Sequence, residues 1–286
     1  CYSGISGDMT VAALLDLGAD REVLKESLKS LPVGGFRTEI TRVKKSGLDA
    51  CDFSVILEQD NHDHDMEYLH GSEKSYTGHH EHSHEVNHEH HHGHTHSHEH
   101  PHEHRGMKEI TEIIQKSEMT VRAKKMAMRV FDILAQAESK AHGVPVEEVH
   151  FHEVGAVDSI VDIAAIAICM DNLDISNVIV PVLYEGTGFI RCQHGQIPVP
   201  VPAVTHIAET HKLKLKITDI QGELVTPTGA AVVAAFRTSD RLPEDFTMLK
   251  TGIGAGKRQY RCPGSLRAML IRETTDLQIK DIIWNM

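Results

Sequence analysis

Val149-His150-Phe151-His152-Glu153-Val154-Gly155-Ala156-Val157-Asp158-Ser159-Ile160-Val161-Asp162-Ile163 is the stretch whose reading decides the fold. Within 13 residues, from His150 to Asp162, it gathers two imidazoles and three carboxylates. Val149 and Phe151 alternate with His150 and His152, the period of a strand, so both histidines fall on one strand face. Gly155 ends that pattern. From Val157 to Met170 the apolar residues recur at helical spacing, with Asp158 and Asp162 four apart on one side. The segment therefore reads strand, turn, helix, with His150, His152, Glu153, Asp158 and Asp162 near the junction. Such a set can hold a divalent metal or move a proton. The plainer reading is that the histidines are half-buried strand residues, Asp158 favours the helix N-terminus, and Asp162 is solvated.

On both sides of this stretch helical and strand patterns alternate, and the central strands are apolar. That order indicates an α/β fold, a mixed sheet with flanking helices. Ser6 and Asp8 are good caps for an apolar helix over Thr10–Leu17, ended by Gly18. The turn Ser3-Gly4-Ile5-Ser6-Gly7 ahead of it can present backbone N–H groups to an anion, although the lysine of a P-loop is missing. Strands are expected over residues 36–43 and 51–57, joined around Ser46-Gly47. The clearest helices are 107–117 and 120–142, the second closed by Gly143. Val178–Leu183 reads as one buried strand. Cys192 and His194 share a strand face. Thr226 and Thr228 stand before the helix Ala230–Phe236 and can either cap it or contact a phosphate. Thr251-Gly252-Ile253-Gly254-Ala255-Gly256-Lys257 has the wrong spacing for a nucleotide loop and reads as a hairpin or bulge.

Composition sets the limits. The chain has 286 residues and a formal charge of −12. Residues 58–104 carry eleven Asp or Glu and one Lys, so the remainder is close to neutral. An acidic surplus argues against nucleic-acid binding. No apolar run approaches the roughly 18 residues of a membrane span. Five scattered cysteines without a C-x-x-C make no disulfide framework and suit a reducing cytoplasm. The chain opens on Cys1 rather than Met, so its true N-terminus is expected upstream.

Seventeen of the 23 histidines lie between His62 and His104, densest at His88, His90, His92, His94, His96, His98 and His100. With so few apolar residues this insertion, 58–106, is expected to be a disordered metal-capturing loop. Imidazole suits Ni²⁺, Zn²⁺ and Cu²⁺. The expected division is an N-terminal α/β domain over 1–57 and 107–245, interrupted by this insertion. Residues 246–286 would start a C-terminal domain.

The segment from His150 to Ile163 resembles the signature of the nickel-insertion proteins of the nickel-pincer cofactor pathway. Cys1–Met9, Gly188–Gly195 and Gly222–Ala231 resemble that family's other motifs, in the family's order. The resemblance implies insertion of Ni²⁺ into pyridinium-3,5-bisthiocarboxylic acid mononucleotide, forming nickel–sulfur and nickel–carbon bonds. The product is the pincer cofactor of lactate racemase. It also implies dependence on CTP with a divalent cation, Mg²⁺ or Mn²⁺, and a C-terminal half that binds CTP. A homo-oligomer is expected, and lactate racemase apoprotein is a candidate partner.

With the resemblance in hand, His150, His152, Glu153 and Asp158 are the candidate catalytic residues, and His150, His152 and Asp162 candidate ligands of a positioned metal. Ser3, Gly4, Ser6, Gly7, Asp8, Thr226 and Thr228 are candidates for the phosphate or a second cation. The competing class is a nickel store or metallochaperone without chemistry, which the histidine tract fits equally well. A zinc hydrolase is weaker, because no H-E-x-x-H helix is present.

Overall fold

The computed structural model describes residues 3–58, 105–151, 156–192, 195–273 and 281–285. The histidine tract lies outside the described residues. The α/β expectation holds: a six-stranded mixed sheet carries helices packed against it.

In chain order, α1 (Gly7–Leu17) and α2 (Arg21–Lys29) lead into β1 (Phe36–Lys45) and β2 (Leu48–Leu57). Next come β3 (Arg105–Gly106), α3 (Met107–Lys116), α4 (Val121–His142), β4 (His150–Phe151) and α5 (Val157–Asn172). Then follow β5 (Asn177–Ile179), β6 (Leu183–Thr187), β7 (Phe189–Cys192), β8 (Gly195–Pro198), α6 (Pro202–His211), β9 (Leu215–Gln221) and α7 (Pro227–Phe236). The last strands are β10 (Phe246–Ala255), β11 (Ser265–Glu273) and β12 (Asp281–Asn285).

The helices fall into two kinds, and composition explains the split. α2 and α3 are amphipathic and bury one stripe each. α1, α5 and α7 are apolar nearly all round and occupy the core. Their few acidic residues are therefore conspicuous: Asp8 and Asp16 on α1, and Asp158, Asp162 and Asp171 on α5.

The sheet order is β1-β2-β10-β11-β12-β5. β1 and β2 form the expected hairpin, in full register from Phe36↔Leu57 to Lys45↔Leu48. Ser46 and Gly47 both take positive φ, 48° and 82°, as a two-residue primed turn requires. β10 runs parallel to β2 and antiparallel to β11; β12 is antiparallel to β11 and parallel to β5. Residues from 246 onward supply β10, β11 and β12, which lie between β2 and β5 in this sheet.

α1 lies directly on β10. A Cβ on Gly252 would sit 2.3 Å from the Ala13 carbonyl oxygen, and one on Gly254 2.0 Å from that of Met9. These glycines bring the strand into backbone contact with the helix, a packing role that explains why a glycine-rich stretch here is not a phosphate loop.

One expected strand divides in two. Val178–Leu183 becomes β5 and the start of β6, with Val180, Pro181 and Val182 between them. Pro181 has no N–H for a ladder, and the chain leaves the large sheet to pair β6 with β9 instead. No described helix is long and apolar enough to cross a membrane.

Candidate functional site

Helices α1 and α5 bring Asp8, Asp158 and Asp162 to one place, while Asp16 pairs with Arg42 and Asp171 with Arg122 elsewhere. Ile5 forms a parallel bridge with Val225, its N–H donating to the Leu224 carbonyl at 2.9 Å while Thr226 N–H donates to the Ile5 carbonyl at 3.1 Å. This stitches the turn before α1 to the turn before α7. α5 packs across α1, so Asp158 and Asp162, one helical turn apart, face the start of α1. The contact is close: a Cβ on Gly7 would lie 2.5 Å from Asp162 Oδ2. The Asp8 N–H donates to the Asp162 carboxylate. The N-terminus of α1 therefore already meets the Asp162 carboxyl group.

These elements enclose a cavity of about 350 Å³. One wall is acidic, built from Asp8, Asp158 and Asp162 with the hydroxyls of Ser3 and Ser6. The Ser6 hydroxyl donates to Asp8 Oδ1. Burial pushes the Asp8 carboxyl up, against the pull of the Ser6 hydroxyl and the Lys257 charge. Burial also raises Asp162 well above its ordinary value, and the neighbouring charges of Asp8 and Asp158 add to the rise. Among the described residues, the buried atoms Ser3 Oγ and Asp162 Oδ1 have no hydrogen-bond partner. Ser3 is only 3% exposed, so water at the surface does not satisfy it.

The opposite wall is basic and comes from the loop between β10 and β11. Lys257 Nζ donates to Ser54 Oγ at 2.6 Å and pairs with Asp52, both on β2. Arg258 Nη1 donates to the Glu223 carbonyl at 2.9 Å and to its carboxylate at 3.2 Å. Tyr260 Oη donates to the same Glu223 carbonyl at 2.8 Å. Behind this wall Glu185 is fully buried. Its Oε1 accepts the N–H groups of Gly186, Leu224 and Val225 at 2.7, 2.8 and 3.1 Å. One carboxylate oxygen thus pins the turn that supports both Ser3–Ile5 and Thr226. Burial raises the Glu185 carboxyl despite those three bonds.

The candidates from the sequence divide accordingly. Ser3, Ser6, Asp8, Asp158, Asp162 and Thr226 all line the cavity. Gly4 and Gly7 shape its edge, Gly4 at φ 72° against the Leu224 backbone. Thr226 also caps α7, its hydroxyl accepting the Gly229 N–H at 3.1 Å. Thr228 is buried in the first turn of α7, away from the lining residues. The β4 backbone places His150 opposite Gly106, and Phe151 opposite Arg105. The His150 side chain, His152, Glu153, His194 and the histidines from His88 to His100 lie outside the described residues. Even so, both anchors of the histidine tract are described. It departs after β2, whose Phe53, Ser54 and Val55 line the cavity, and returns at β3 beside the signature strand.

The basic wall was missed by the sequence reading. Lys257 and Arg258 follow the glycine-marked hairpin, and the signal available was two adjacent cations after Gly256. Glu185 gave only the faint signal of a lone acid inside a buried strand. Among the described residues, no group of three or more His, Cys, Asp or Glu side chains is arranged so that it could hold a metal ion.

Comparison with known proteins agrees with the motifs. The family described as nickel insertion protein matches residues 1–285. A relative from Alkaliphilus metalliredigens, named pyridinium-3,5-bisthiocarboxylic acid mononucleotide nickel insertion protein, is 49% identical over 99% of this chain and 62% of its own length. Relatives with the same name from Clostridium acetobutylicum and Acetivibrio thermocellus are 42% and 35% identical. They cover 98% and 94% of this chain, and 65% and 58% of their own lengths. The chain thus spans a little under two thirds of these relatives. No solved structure matches it. The chain belongs to the nickel insertion protein family.

Proposed function

We propose that this member of the nickel insertion family places Ni²⁺ into a pyridinium-3,5-bisthiocarboxylic acid mononucleotide, the reaction its relatives are named for. The observation that carries the reading is the cavity with opposed walls. The substrate brings thiocarboxylates and a phosphate, which need cations; the metal needs anionic ligands. One wall offers Lys257 and Arg258, the other Asp8, Asp158 and Asp162. A volume of about 350 Å³ falls within the range of small-molecule sites.

The chemistry is redox-neutral. Two thiocarboxylate sulfurs bind nickel, the ring C–H bond breaks as the nickel–carbon bond forms, and the proton leaves to a base. His150, His152, Glu153 and Asp158 are the candidate bases, with His150, His152 and Asp162 as donors to the positioned nickel. The histidine tract collects the metal, and its departure from β2, whose Phe53, Ser54 and Val55 line the cavity, supports delivery there. Family resemblance supports a dependence on CTP with Mg²⁺ or Mn²⁺, assignment to the lyases, and a C-terminal half completing the reaction. It also supports a homo-oligomer in the cytoplasm supplying lactate racemase.

The alternative is a nickel store or metallochaperone, favoured by the seventeen histidines between His62 and His104. Calorimetry with Ni²⁺ on the chain with and without residues 60–105 separates the two. One tight site surviving the deletion is expected. Loss of all nickel binding with the tract would leave a collector and defeat the insertion reading for this chain.

A further inference from the structure

The two cations on the basic wall are in unlike states. Lys257 Nζ is committed to β2, donating to Ser54 Oγ at 2.6 Å and pairing with Asp52. Arg258 is committed through one nitrogen only. Its Nη1 donates to the Glu223 carbonyl at 2.9 Å, to the Glu223 carboxylate at 3.2 Å and to Tyr260 Oη at 3.3 Å. Among the described residues, Arg258 Nε and Nη2 make no hydrogen bond, and neither is sealed from solvent. These nitrogens form one edge of the guanidinium plane, whose parallel N–H groups match two oxygens of one anion. The Arg258 side chain lines the cavity and is 24% exposed, against 6% for the Glu223 that holds its other edge.

The donor edge is in place before any ligand arrives. Tyr260 Oη donates to the Glu223 carbonyl at 2.8 Å, and its ring lies against Gly222, where a Cβ would sit 3.2 Å from Tyr260 Cε1. The loop that carries Arg258 is tied at its base by Gly256 N–H donating to the Gly264 carbonyl at 2.8 Å. Lys45 Nζ donates to the Arg258 carbonyl at 3.3 Å, and Arg261 Nη2 to the Asp219 carboxylate at 2.9 Å. Behind them Glu185 holds the N–H groups of Leu224 and Val225, which fixes the turn presenting Glu223. A receptor with its donors already oriented loses little freedom on binding.

We infer that Arg258 is the phosphate receptor of this cavity, with Nε and Nη2 binding two oxygens of a phosphate monoester and with Glu223, Tyr260 and Glu185 as positioning residues. The assignment rests on the function proposed above, in which Asp158 and Asp162 serve the metal and the ring C–H. The pyridinium ring and its thiocarboxylates then belong at the acidic wall, and the phosphate, at the far end of the ribose, falls to the opposite one. The turn Ser3–Gly7 is a poorer place for a dianion, because Asp8, Asp158 and Asp162 share its wall.

The test is calorimetry on the whole chain with nicotinamide mononucleotide, which carries the phosphate without a carboxylate. Nicotinamide riboside, which has neither, and nicotinic acid riboside, which has only the carboxylate, complete the set. The variants are Arg258→Lys and Tyr260→Phe, with near-ultraviolet circular dichroism as the check on folding. Wild type is expected to prefer the mononucleotide to nicotinamide riboside by about tenfold or more. Arg258→Lys keeps the charge, loses the fork and should remove that preference while leaving riboside affinity unchanged. Tyr260→Phe should narrow the preference about threefold. No preference in wild type, or an equal preference in a folded Arg258→Lys, overturns the receptor. So does a wild type that gains from the carboxylate of nicotinic acid riboside instead, since the fork would then hold the thiocarboxylate end. If Arg258→Lys does not fold, Tyr260→Phe decides alone, and an unchanged preference in it overturns the assignment. A phosphate preference that behaves as expected in a complete protein without insertion activity would sink the proposed function and leave the receptor standing. Insertion by Arg258→Lys at unchanged kcat and KM would do the reverse.

Discussion

Two hollows in this molecule invite comparison. The larger, about 670 Å³, lies among α4, α5, β5 and α7 and is lined by Met126, Met170, Ile175, Val178 and Phe236, with cations at its rim. Its Arg122 is engaged by Asp174 at 2.7 Å and by the Ile175 carbonyl at 2.7 Å. The smaller, about 350 Å³, gathers the like charges of Asp8, Asp158 and Asp162 and, among the described residues, buried oxygens without partners. Volume favours the first and chemistry the second. Sites are marked by groups held in states they would not adopt alone, and the small cavity concentrates them.

Four changes would sharpen that contrast or break it. The largest effect is expected from Asp158→Asn combined with Asp162→Asn, which should lower nickel insertion roughly a hundredfold or more, as loss of metal ligands or their supports does. Assay of pincer cofactor formed by the complete protein checks this, and undiminished activity would remove the small cavity from the reaction.

Next is Gly254→Ala, whose new Cβ would press on the Met9 carbonyl 2.0 Å away. Overpacking of this kind costs about 2 kcal/mol. A urea midpoint equal to wild type would show that α1 is not seated on β10 as described.

A smaller effect concerns pH. The Asp162 carboxyl is raised in the folded state above its ordinary 3.8, so the folded chain holds that proton more tightly than the unfolded one. The stability this contributes is present below the ordinary value and lost as pH rises through the folded value. Asp162→Asn removes the dependence. The variant should therefore melt higher than wild type at about pH 8 and show no such gain at about pH 3, even while its activity is gone. A constant difference in melting temperature across that range would mean that Asp162 is not a strained carboxylate.

The smallest effect belongs to the larger hollow. Lys125→Ala at its rim should change stability by no more than about 0.5 kcal/mol and leave nickel insertion unaltered. A marked loss of insertion activity would reverse the ranking of the two hollows.

Much of this arrangement was legible locally. Helices α1, α3, α4, α5 and α7 follow from apolar spacing and caps, because both act within a few residues. The β1–β2 hairpin follows from Ser46-Gly47, and the Asp158/Asp162 pair from one helical turn. Family membership followed from four motifs in order. Other features were settled by long-range packing. Asp8 meets Asp162 only because α1 and α5 cross. Lys257 and Arg258 face them only because β10 pairs with β2 and carries its following loop to the cavity. Gly252 and Gly254 read locally as turn residues, yet their function is to let α1 approach a strand. Glu185 reads as one acid in a strand until its carboxylate is seen to hold three backbone N–H groups from two segments. The sequence by itself determined which residues carry charge and which local structures hold them. Which charges face one another across a shared cavity was decided by the pairing of distant strands and the crossing of buried helices, since those contacts join residues that no local period connects.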